Sequence, residues 1–167
     1  MIEYTVKVFS NRTEWFLNGK RHREDGPVRE YANGTKKWFL NGELHRVDGP
    51  AVEYDDGSKE WYLNGKRHRE GGPAYETANG TKSWWLNGKR HREDGPAYET
   101  ADGSKEWYLN GELHREDGPA IEYANGSKEW FLNGKELTEE EFNGSKTKEL
   151  TVKQIEKLLG YSVKVVK

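Results

Sequence analysis

Residues 107–120 read WYLNGELHREDGPA, and close copies of this segment recur along the chain. A constant step of 23 residues separates the tryptophans Trp15, Trp38, Trp61, Trp84, Trp107 and Trp130, and also the histidines His22, His45, His68, His91 and His114. A constant period of this kind indicates a repeat array. Each unit is too small to bury its own apolar face, so neighbouring units must stack on one another.

Within a unit the apolar residues alternate as they do in a strand. Trp107 and Leu109 fall on one strand face and Tyr108 on the other. Asn110-Gly111 follows, and Asn-Gly is the preferred pair for a type I′ hairpin turn, in which both residues have positive φ. Asp117-Gly118-Pro119 is a second breaker. The pattern predicts an all-β, elongated array of stacked β-hairpins, with two or three short strands per repeat joined as a meander.

The array divides the chain into three parts. Residues 1–14 are predicted to form an N-terminal capping strand, residues 15–136 the repeats (five full and one partial), and residues 137–167 a small C-terminal α/β cap. Repeat arrays need terminal units that close their apolar ends, and both flanking segments fit that role.

Each end carries its own signals. In the first copy Asn11 aligns with Gly34, which predicts a positive φ at Asn11. Near the other end, Thr138 and Glu141 have capping-box spacing. A second helix is predicted from Thr151 to a C′ glycine at Gly160, followed by a final strand over residues 161–166.

The composition excludes several function classes. The chain of 167 residues has a formal net charge of −2, which disfavours broad nucleic-acid binding. It has no cysteine, so disulfides, thiolate metal sites and a cysteine nucleophile are excluded. It also lacks an apolar run long enough for a transmembrane helix and a signal-peptide core. The sequence therefore predicts a cytoplasmic protein without membrane insertion.

The motif Asn-Gly-Lys-Arg-His, with a following Asp-Gly-Ser and a Trp, resembles the MORN repeat over residues 12–134. The MORN repeat is a β-hairpin unit that stacks into an elongated sheet. Arg-Glu-Asp-Gly-Pro follows His where a MORN unit has glycine, so the chain looks like a variant of the type found in bacterial and phage-encoded proteins. The resemblance implies a non-catalytic scaffold that contacts proteins or membranes, and it fixes no partner.

The repeated polar residues are interpreted as structural. Arg23 is expected to pair with Asp25 or a carboxylate of a neighbouring repeat, while His22 packs and hydrogen-bonds near a turn. A metal site is disfavoured because each repeat offers one His and one Asp, whereas structural zinc requires four ligands. Catalysis is disfavoured because similar copies supply no unlike pair of titrating groups. We therefore expect no enzyme activity, no metal and no cofactor.

Deviations from the shared pattern are the candidates for function, and they concentrate in the third and fourth repeats. Gly71 replaces the aspartate of the other repeats, and Trp85 is the one tryptophan at its repeat position. Together with nearby cations they predict a basic, aromatic binding face at mid-array, although drift among duplicated units would also produce such differences. The candidate binding residues are Lys66, Arg67, Arg69, Tyr75, Trp85, Lys89, Arg90, Arg92 and Tyr98.

The leading functional hypothesis is a phage-encoded interaction protein. This face would engage an acidic surface of a host protein, such as a defence or regulatory protein, with arginine and aromatic side chains dominating the contact. Three alternatives stay open: a carbohydrate or cell-wall binding module, a sponge for a small anion or nucleotide, and a structural component that self-associates through open sheet edges.

Overall fold

The computed structural model describes residues 3–145, 152–160 and 162, and an elongated antiparallel sheet dominates it. Its strands are β1 (Thr5–Val8), β2 (Arg12–Leu17), β3 (Lys20–Arg21), β4 (Arg29–Tyr31), β5 (Lys36–Lys37), β8 (Val52–Glu53), β9 (Lys59–Glu60), β12 (Tyr75–Glu76), β13 (Lys82–Ser83), β16 (Tyr98–Glu99), β17 (Lys105–Glu106), β20 (Ile121–Glu122), β21 (Lys128–Leu132) and β22 (Lys135–Leu137). Thirteen of them follow one another along the sheet, and the fourteenth, β3, pairs with β2. At roughly 4.8 Å per strand the sheet is about 60 Å long.

Four small hairpins stand outside the long sheet, one in each of the second to fifth repeats. They are β6 (Phe39–Leu40) with β7 (Glu43–Leu44), β10 (Tyr62–Leu63) with β11 (Lys66–Arg67), β14 (Trp85–Leu86) with β15 (Lys89–Arg90), and β18 (Tyr108–Leu109) with β19 (Glu112–Leu113). The elongated all-β hairpin array is thus confirmed. Each of these repeats has four strands in two hairpins, however, so the predicted count of two or three was too low.

The second hairpin of a repeat exists because the chain leaves the sheet at the repeated tryptophan. Trp61 lies between β9 and β10, and its backbone N–H donates to the carbonyl of Ala74 at 2.8 Å. Trp61 in turn accepts from the backbone of His68 at 3.1 Å. Both main-chain groups of the tryptophan are satisfied at the crossing, so the strand can end there and a separate hairpin can begin.

Two kinds of turn join the strands. The Asn-Gly turns have positive φ at both residues, for example 48° at Asn64 and 72° at Gly65, as predicted for type I′. The hairpins of the long sheet use three-residue loops in which the glycine has positive φ, 97° at Gly34. The prediction for Asn11 was wrong, because Asn11 is not among the residues with positive φ. The β1–β2 loop closes with a bond from Phe9 N–H to the Arg12 carbonyl at 2.8 Å, so it is one residue shorter than the later loops and Asn11 does not occupy the place of Gly34.

Successive repeats are joined by a ladder of hydrogen bonds between their Asn-Gly turns. The Gly88 N–H donates to the Arg67 carbonyl at 2.9 Å, and the Asn87 N–H donates to Nδ1 of His68 at 3.2 Å. The expectation that the histidine hydrogen-bonds near a turn is confirmed.

The fully buried core is thin and made of small side chains: Val28, Ala51, Ala74, Ala97 and Ala120 have no exposed surface.

Two helices follow the array. Helix α1 (Glu139–Ser145) begins with the predicted capping box, since Thr138 N–H donates to Glu141 at 2.8 Å and Glu141 N–H to Thr138 Oγ1 at 3.1 Å. Phe142 is buried, and α1 packs on β21 and β22.

Helix α2 (Val152–Leu159) ends at Gly160, with φ 73° as predicted for a C′ glycine. The strand predicted over residues 161–166 lies outside the described residues, apart from residue 162. None of the described helices is long and apolar enough to cross a membrane.

Candidate functional site

The structure brings five of the nine predicted binding residues together, in what we call the arginine–aromatic row: Arg67, Tyr75, Trp85, Arg90 and Tyr98. Arg67 Cζ lies 5.2 Å from the Tyr75 ring centre and 5.4 Å from that of Trp85. Arg90 Cζ lies 5.5 Å from the Trp85 ring centre and 4.5 Å from that of Tyr98. The Trp85 ring therefore contacts both guanidinium groups, in a continuous cation–π arrangement.

Arg67 is neutralised inside the protein. Its Nη2 lies 2.9 Å from Oε2 of Glu60, a carboxylate that is only 6% exposed and also accepts the hydroxyls of Tyr54 and Tyr62, each at 2.6 Å. Burial raises the pKa of Glu60, but the bonds from two tyrosines and one guanidinium outweigh it and hold the pKa below its ordinary value. Arg67 thus positions the rings of Tyr75 and Trp85, and its charge is already paired with Glu60 inside the protein.

Arg90 is held more loosely than Arg67. Its Nη1 lies 3.4 Å from Glu106 Oε2 and 3.3 Å from the Tyr108 hydroxyl, and its ring contacts include Tyr108 at 5.1 Å. Within the described part of the chain no acceptor reaches its buried Nε. Beside it opens a cleft of about 510 Å³, which we call the mid-array cleft. The cleft is lined by Trp85, Gly88, Lys89, Arg90, Tyr108, Asn110, Gly111 and Glu112.

The difference between the two arginines is due to Ser83, which is not among the residues predicted from the sequence. Ser83 precedes Arg90 by seven residues, as Glu60 precedes Arg67, so Arg90 lacks the carboxylate of its own repeat. Ser83 Oγ instead accepts the indole N–H of Trp85 at 2.7 Å. Glutamate stands at this repeat position in four of the six copies, with Lys37 in the second and Ser83 in the fourth, and the loss of the carboxylate at Ser83 was the signal available in the sequence.

Lys66 and Lys89 are exposed and follow the Asn-Gly turns of the third and fourth repeats. Their side-chain methylenes lie against Gly88 and Gly111 of the next repeat, which leaves the ammonium groups at the surface. Glu43 and Glu112 occupy the equivalent places in the second and fifth repeats. At this repeat position lysine therefore occurs in the two middle repeats and near the two ends, at Lys20 and Lys135.

Arg69 and Arg92 belong to a different row, the loop row, which consists of loops 22–27, 45–50, 68–73, 91–96 and 114–119. Arg92 binds Asp94 at 2.8 Å, the carbonyl of Pro96 at 3.1 Å and Glu99 at 3.3 Å, and it covers the Trp84 ring at 4.1 Å. The expected pairing of this repeated arginine with an aspartate of its own loop is confirmed. These arginines hold each loop in place, and most of their N–H groups already donate hydrogen bonds within the loop.

Arg69 has one partner fewer than the other loop arginines. It donates hydrogen bonds to the Pro73 carbonyl and to Glu76, each at 3.0 Å, and its Cζ lies 3.9 Å from the centre of the Trp61 ring. The fourth partner is missing because Gly71 stands where the other loops have aspartate. Gly71 also adopts a positive φ of 71°, which no aspartate of the other loops does.

The histidines lie between the loop row and the Asn-Gly turns. Nδ1 of His91 accepts the backbone N–H of Asn110 at 3.1 Å, and its Nε2 lies 3.6 Å from Glu93. The described residues contain no group of three or more His, Asp or Glu side chains arranged to hold a metal ion. The histidine ladder can therefore be explained by contacts between repeats.

A comparison of the chain with known protein families found no match, and a comparison with curated protein sequences found no relative.

Proposed function

We propose that this chain is a non-enzymatic, repeat-based binding protein that engages an acidic surface of a partner protein at the mid-array cleft. The observation that carries the proposal is the environment of Arg90. Its guanidinium lies among the rings of Trp85, Tyr98 and Tyr108, beside an open cleft, and the nearest carboxylate of the described residues is Glu106 at 3.4 Å. A partner carboxylate would give Arg90 the close ion pair that Glu60 gives Arg67.

The chemistry of the cleft fits a protein partner. Arginine and large aromatic side chains tend to supply most of the binding energy in protein interfaces. Lys89 adds a second, exposed cation on the rim of the cleft. Acidic residues of a partner would be attracted by both cations, and its apolar side chains could pack on Trp85 and Tyr108.

The biological setting is proposed from the resemblance to MORN-type repeats of bacterial and phage-encoded proteins. It supports a phage-encoded protein that acts in the host cytoplasm on a defence or regulatory protein. This part of the proposal rests on the repeat motif alone and is separable from the cleft.

The first experiment reverses two charges without disturbing the fold. Lys66→Glu and Lys89→Glu place glutamate where Glu43 and Glu112 already stand, so this array already accommodates the replacement. A matched control, Lys20→Glu with Lys135→Glu, makes the same change at the same repeat position near the two ends of the array. Partners are captured from bacterial lysates with the wild-type chain, and the affinity of each purified partner is then measured by calorimetry.

We expect the mid-array variant to bind its partner at least tenfold more weakly and the control variant to bind like the wild type. Equal loss in both variants would mean that overall charge, and not the cleft, determines binding. Arg90→Leu is a third variant, chosen because Leu44 and Leu113 stand at the same repeat position, and we expect it to weaken binding while the melting temperature changes little.

A second candidate function, a self-associating structural component, is favoured by the first strand. All four residues of β1 are exposed, β1 forms the end of the long sheet, and Val8 is 78% exposed. Such an open edge can pair with a strand of another chain. Light scattering tests this candidate: association that Val8→Lys abolishes would support it, and a monomer at high concentration would exclude it.

A further inference from the structure

A cleft opens between every two successive loops of the loop row, so the array carries four related clefts. We number them from the N-terminal end. The fourth cleft lies between loops 91–96 and 114–119 and has a volume of about 750 Å³, against 600, 650 and 530 Å³ for the first three. These clefts are distinct from the mid-array cleft, although Trp85 lines both that cleft and the third one.

The fourth cleft combines an apolar lining with an acidic rim. Trp107 and Leu109 line it, together with His114. Four carboxylates surround the opening, and each side chain is more than four-fifths exposed: Glu93, Asp94, Glu116 and Asp117. A cation that enters this cleft would approach an indole ring and several carboxylates at once.

The arginines that line the cleft do not cancel this acidic character, because they are bound within their own loops. Arg115 binds Asp117 at 2.8 Å and Glu122 at 2.9 Å, and lies 3.9 Å from the centre of the Trp107 ring. Arg92 is held in the same way by Asp94 and Glu99. The residues that line the fourth cleft carry two arginines and four carboxylates, so their formal charge is −2 with histidine neutral.

The spacing of the clefts defines the shape of the ligand. Each repeat adds two strands to the long sheet, so successive clefts are about 10 Å apart. A polyproline II helix rises about 3.1 Å per residue and repeats every three residues, or about 9.3 Å. Side chains three residues apart on such a peptide would therefore reach neighbouring clefts, and its prolines could pack on the apolar lining.

We propose that the acidic clefts of the loop row, and the fourth cleft above all, bind an arginine-containing segment of a partner protein in the polyproline II conformation. Arginine fits better than lysine, because its planar guanidinium stacks on an indole ring and can bind a carboxylate with two parallel hydrogen bonds. This inference does not depend on the function proposed for the mid-array cleft.

The chain contains its own comparison series. Val47 replaces the first of the two loop carboxylates in the second repeat, and Gly71 replaces the second in the third repeat. The fourth cleft thus has four rim carboxylates. The third cleft has three (Glu70, Glu93 and Asp94), as does the first (Glu24, Asp25 and Asp48), and the second has two (Asp48 and Glu70). Affinity for a guanidinium should follow this order.

The probe is a fluorescein-labelled peptide with four Arg-Pro-Pro triplets, titrated with the full chain and followed by fluorescence anisotropy. We expect saturable binding that weakens with added salt, and no binding of the matching uncharged Gln-Pro-Pro peptide. Glu93→Gln with Glu116→Gln removes two exposed charges from the fourth cleft and leaves the aspartates that fasten the loops. At about 0.5–0.7 kcal/mol for each exposed charge, affinity should fall roughly five- to tenfold.

The control variant, Glu43→Gln with Glu140→Gln, removes the same charge from exposed positions outside the four clefts, and we expect unchanged affinity. Equal weakening in both variants would overturn the proposal, because it would show attraction by net charge alone. Equally tight binding of a flexible peptide with four Arg-Gly-Ser triplets would overturn the polyproline II conformation.

A gain-of-function variant completes the test. Val47 is 82% exposed, and Val47→Glu gives the first cleft four rim carboxylates, the same number as the fourth. We expect the four-triplet peptide to bind this variant more tightly, because one peptide can reach both four-carboxylate clefts at once. Unchanged affinity in this variant would contradict the role of the rim carboxylates.

Discussion

Nδ1 of His68 accepts the backbone N–H of Asn87, 3.2 Å away, across the boundary between the third and fourth repeats. The same bond joins His45 to Asn64, His91 to Asn110 and His114 to Asn133, each at 3.1 Å. An accepting Nδ1 requires that the proton of the neutral ring be on Nε2, which faces a glutamate of its own loop in four of the five repeats. The repeated histidine is therefore a linker between units.

Removing this linker should weaken the array. We expect His68→Ala to lower the free energy of unfolding by about 1–2 kcal/mol, because a turn N–H loses its acceptor and the space beside it is emptied. Urea unfolding followed by tryptophan fluorescence measures the change. Glu70→Gln is the control in the same loop: its side chain is 87% exposed and lies 3.9 Å from the ring, so its midpoint should stay unchanged. An unaltered midpoint for His68→Ala would refute the role of the linker.

The loop glycines before proline are required for space and not for backbone conformation. A Cβ added at Gly95 would lie 3.0 Å from Cζ of Arg92, and Gly95 does not have a positive φ. We expect Gly95→Ala to destabilise the protein by about 1 kcal/mol, since the guanidinium must shift by a few tenths of an ångström while it is held by Trp84, Asp94 and Glu99. Thermal unfolding measures the effect.

Gly144 offers the matched control for this prediction. It also lacks a positive φ, and an added Cβ there would meet no described residue within 4 Å. Because Gly144 lies in helix α1, Gly144→Ala should leave the melting temperature unchanged or raise it slightly. Equal destabilisation by the two variants would contradict the packing explanation.

Acid should weaken the N-terminal end of the array through Glu14. This carboxylate is 2% exposed, and burial raises its pKa, but hydrogen bonds from Arg12, Arg29 and Arg21 outweigh burial and lower the pKa to about 2. Because the folded pKa lies below the ordinary value of 4.5, the stabilisation is present above that value and is lost as the pH falls toward 2.

Urea midpoints measured across this pH range test the prediction. We expect the wild type to lose up to roughly 3 kcal/mol through Glu14. Glu14→Gln should be less stable near neutral pH and should lose less on acidification, because the titrating group is gone. Parallel pH profiles for the two proteins would show that Glu14 does not contribute to the loss of stability in acid.

Alkali should act on the tyrosines around Glu60. Burial, followed by the hydrogen bond to Glu60, raises the pKa of Tyr62 to about 12, and the pKa of Tyr54 is raised as well. A raised pKa gives stabilisation that is present below the ordinary value of 10 and is lost as the pH rises through 12. In an absorbance titration, Tyr62→Phe should remove one late-ionising tyrosine. A late phase of unchanged amplitude would contradict the assignment.

The turns could be predicted from sequence because their chemistry is local. Asn-Gly pairs fixed the type I′ turns, and the capping box at Thr138 fixed the start of α1. Two-residue strands such as Lys66–Arg67 were missed because so short a segment shows no alternation. Asn11 was misassigned because repeat alignment gives the wrong answer where the first loop is one residue shorter.

The candidate site was predicted in part for a similar reason. The arginines and aromatic rings of the arginine–aromatic row were predicted from positions at which the third and fourth repeats differ from the others. It could not show that Glu60 neutralises Arg67, because that pairing joins a strand of the long sheet to a separate hairpin. Arg69 and Arg92 were grouped with the row by sequence proximity, whereas their loops hold them against Trp61 and Trp84.

The hydrogen-bonded Asn-Gly turns also govern how the protein ages chemically. At an Asn-Gly pair the glycine nitrogen can attack the asparagine carboxamide, expel ammonia and form a succinimide, which water opens to aspartate or isoaspartate. In the type I′ turns from the second repeat onward, the N–H of that glycine is bound to a carbonyl of the preceding repeat, as in Gly42 to Arg21 and Gly65 to Leu44, each at 2.9 Å, whereas the glycines of the long-sheet hairpins bind within their own hairpin, as in Gly80 to Thr77 at 3.0 Å. Gly19 has no preceding repeat, and no such bond reaches it from the described residues. Deamidation among the hairpin turns should therefore begin at Asn18, and every stacked repeat protects the turn that follows it.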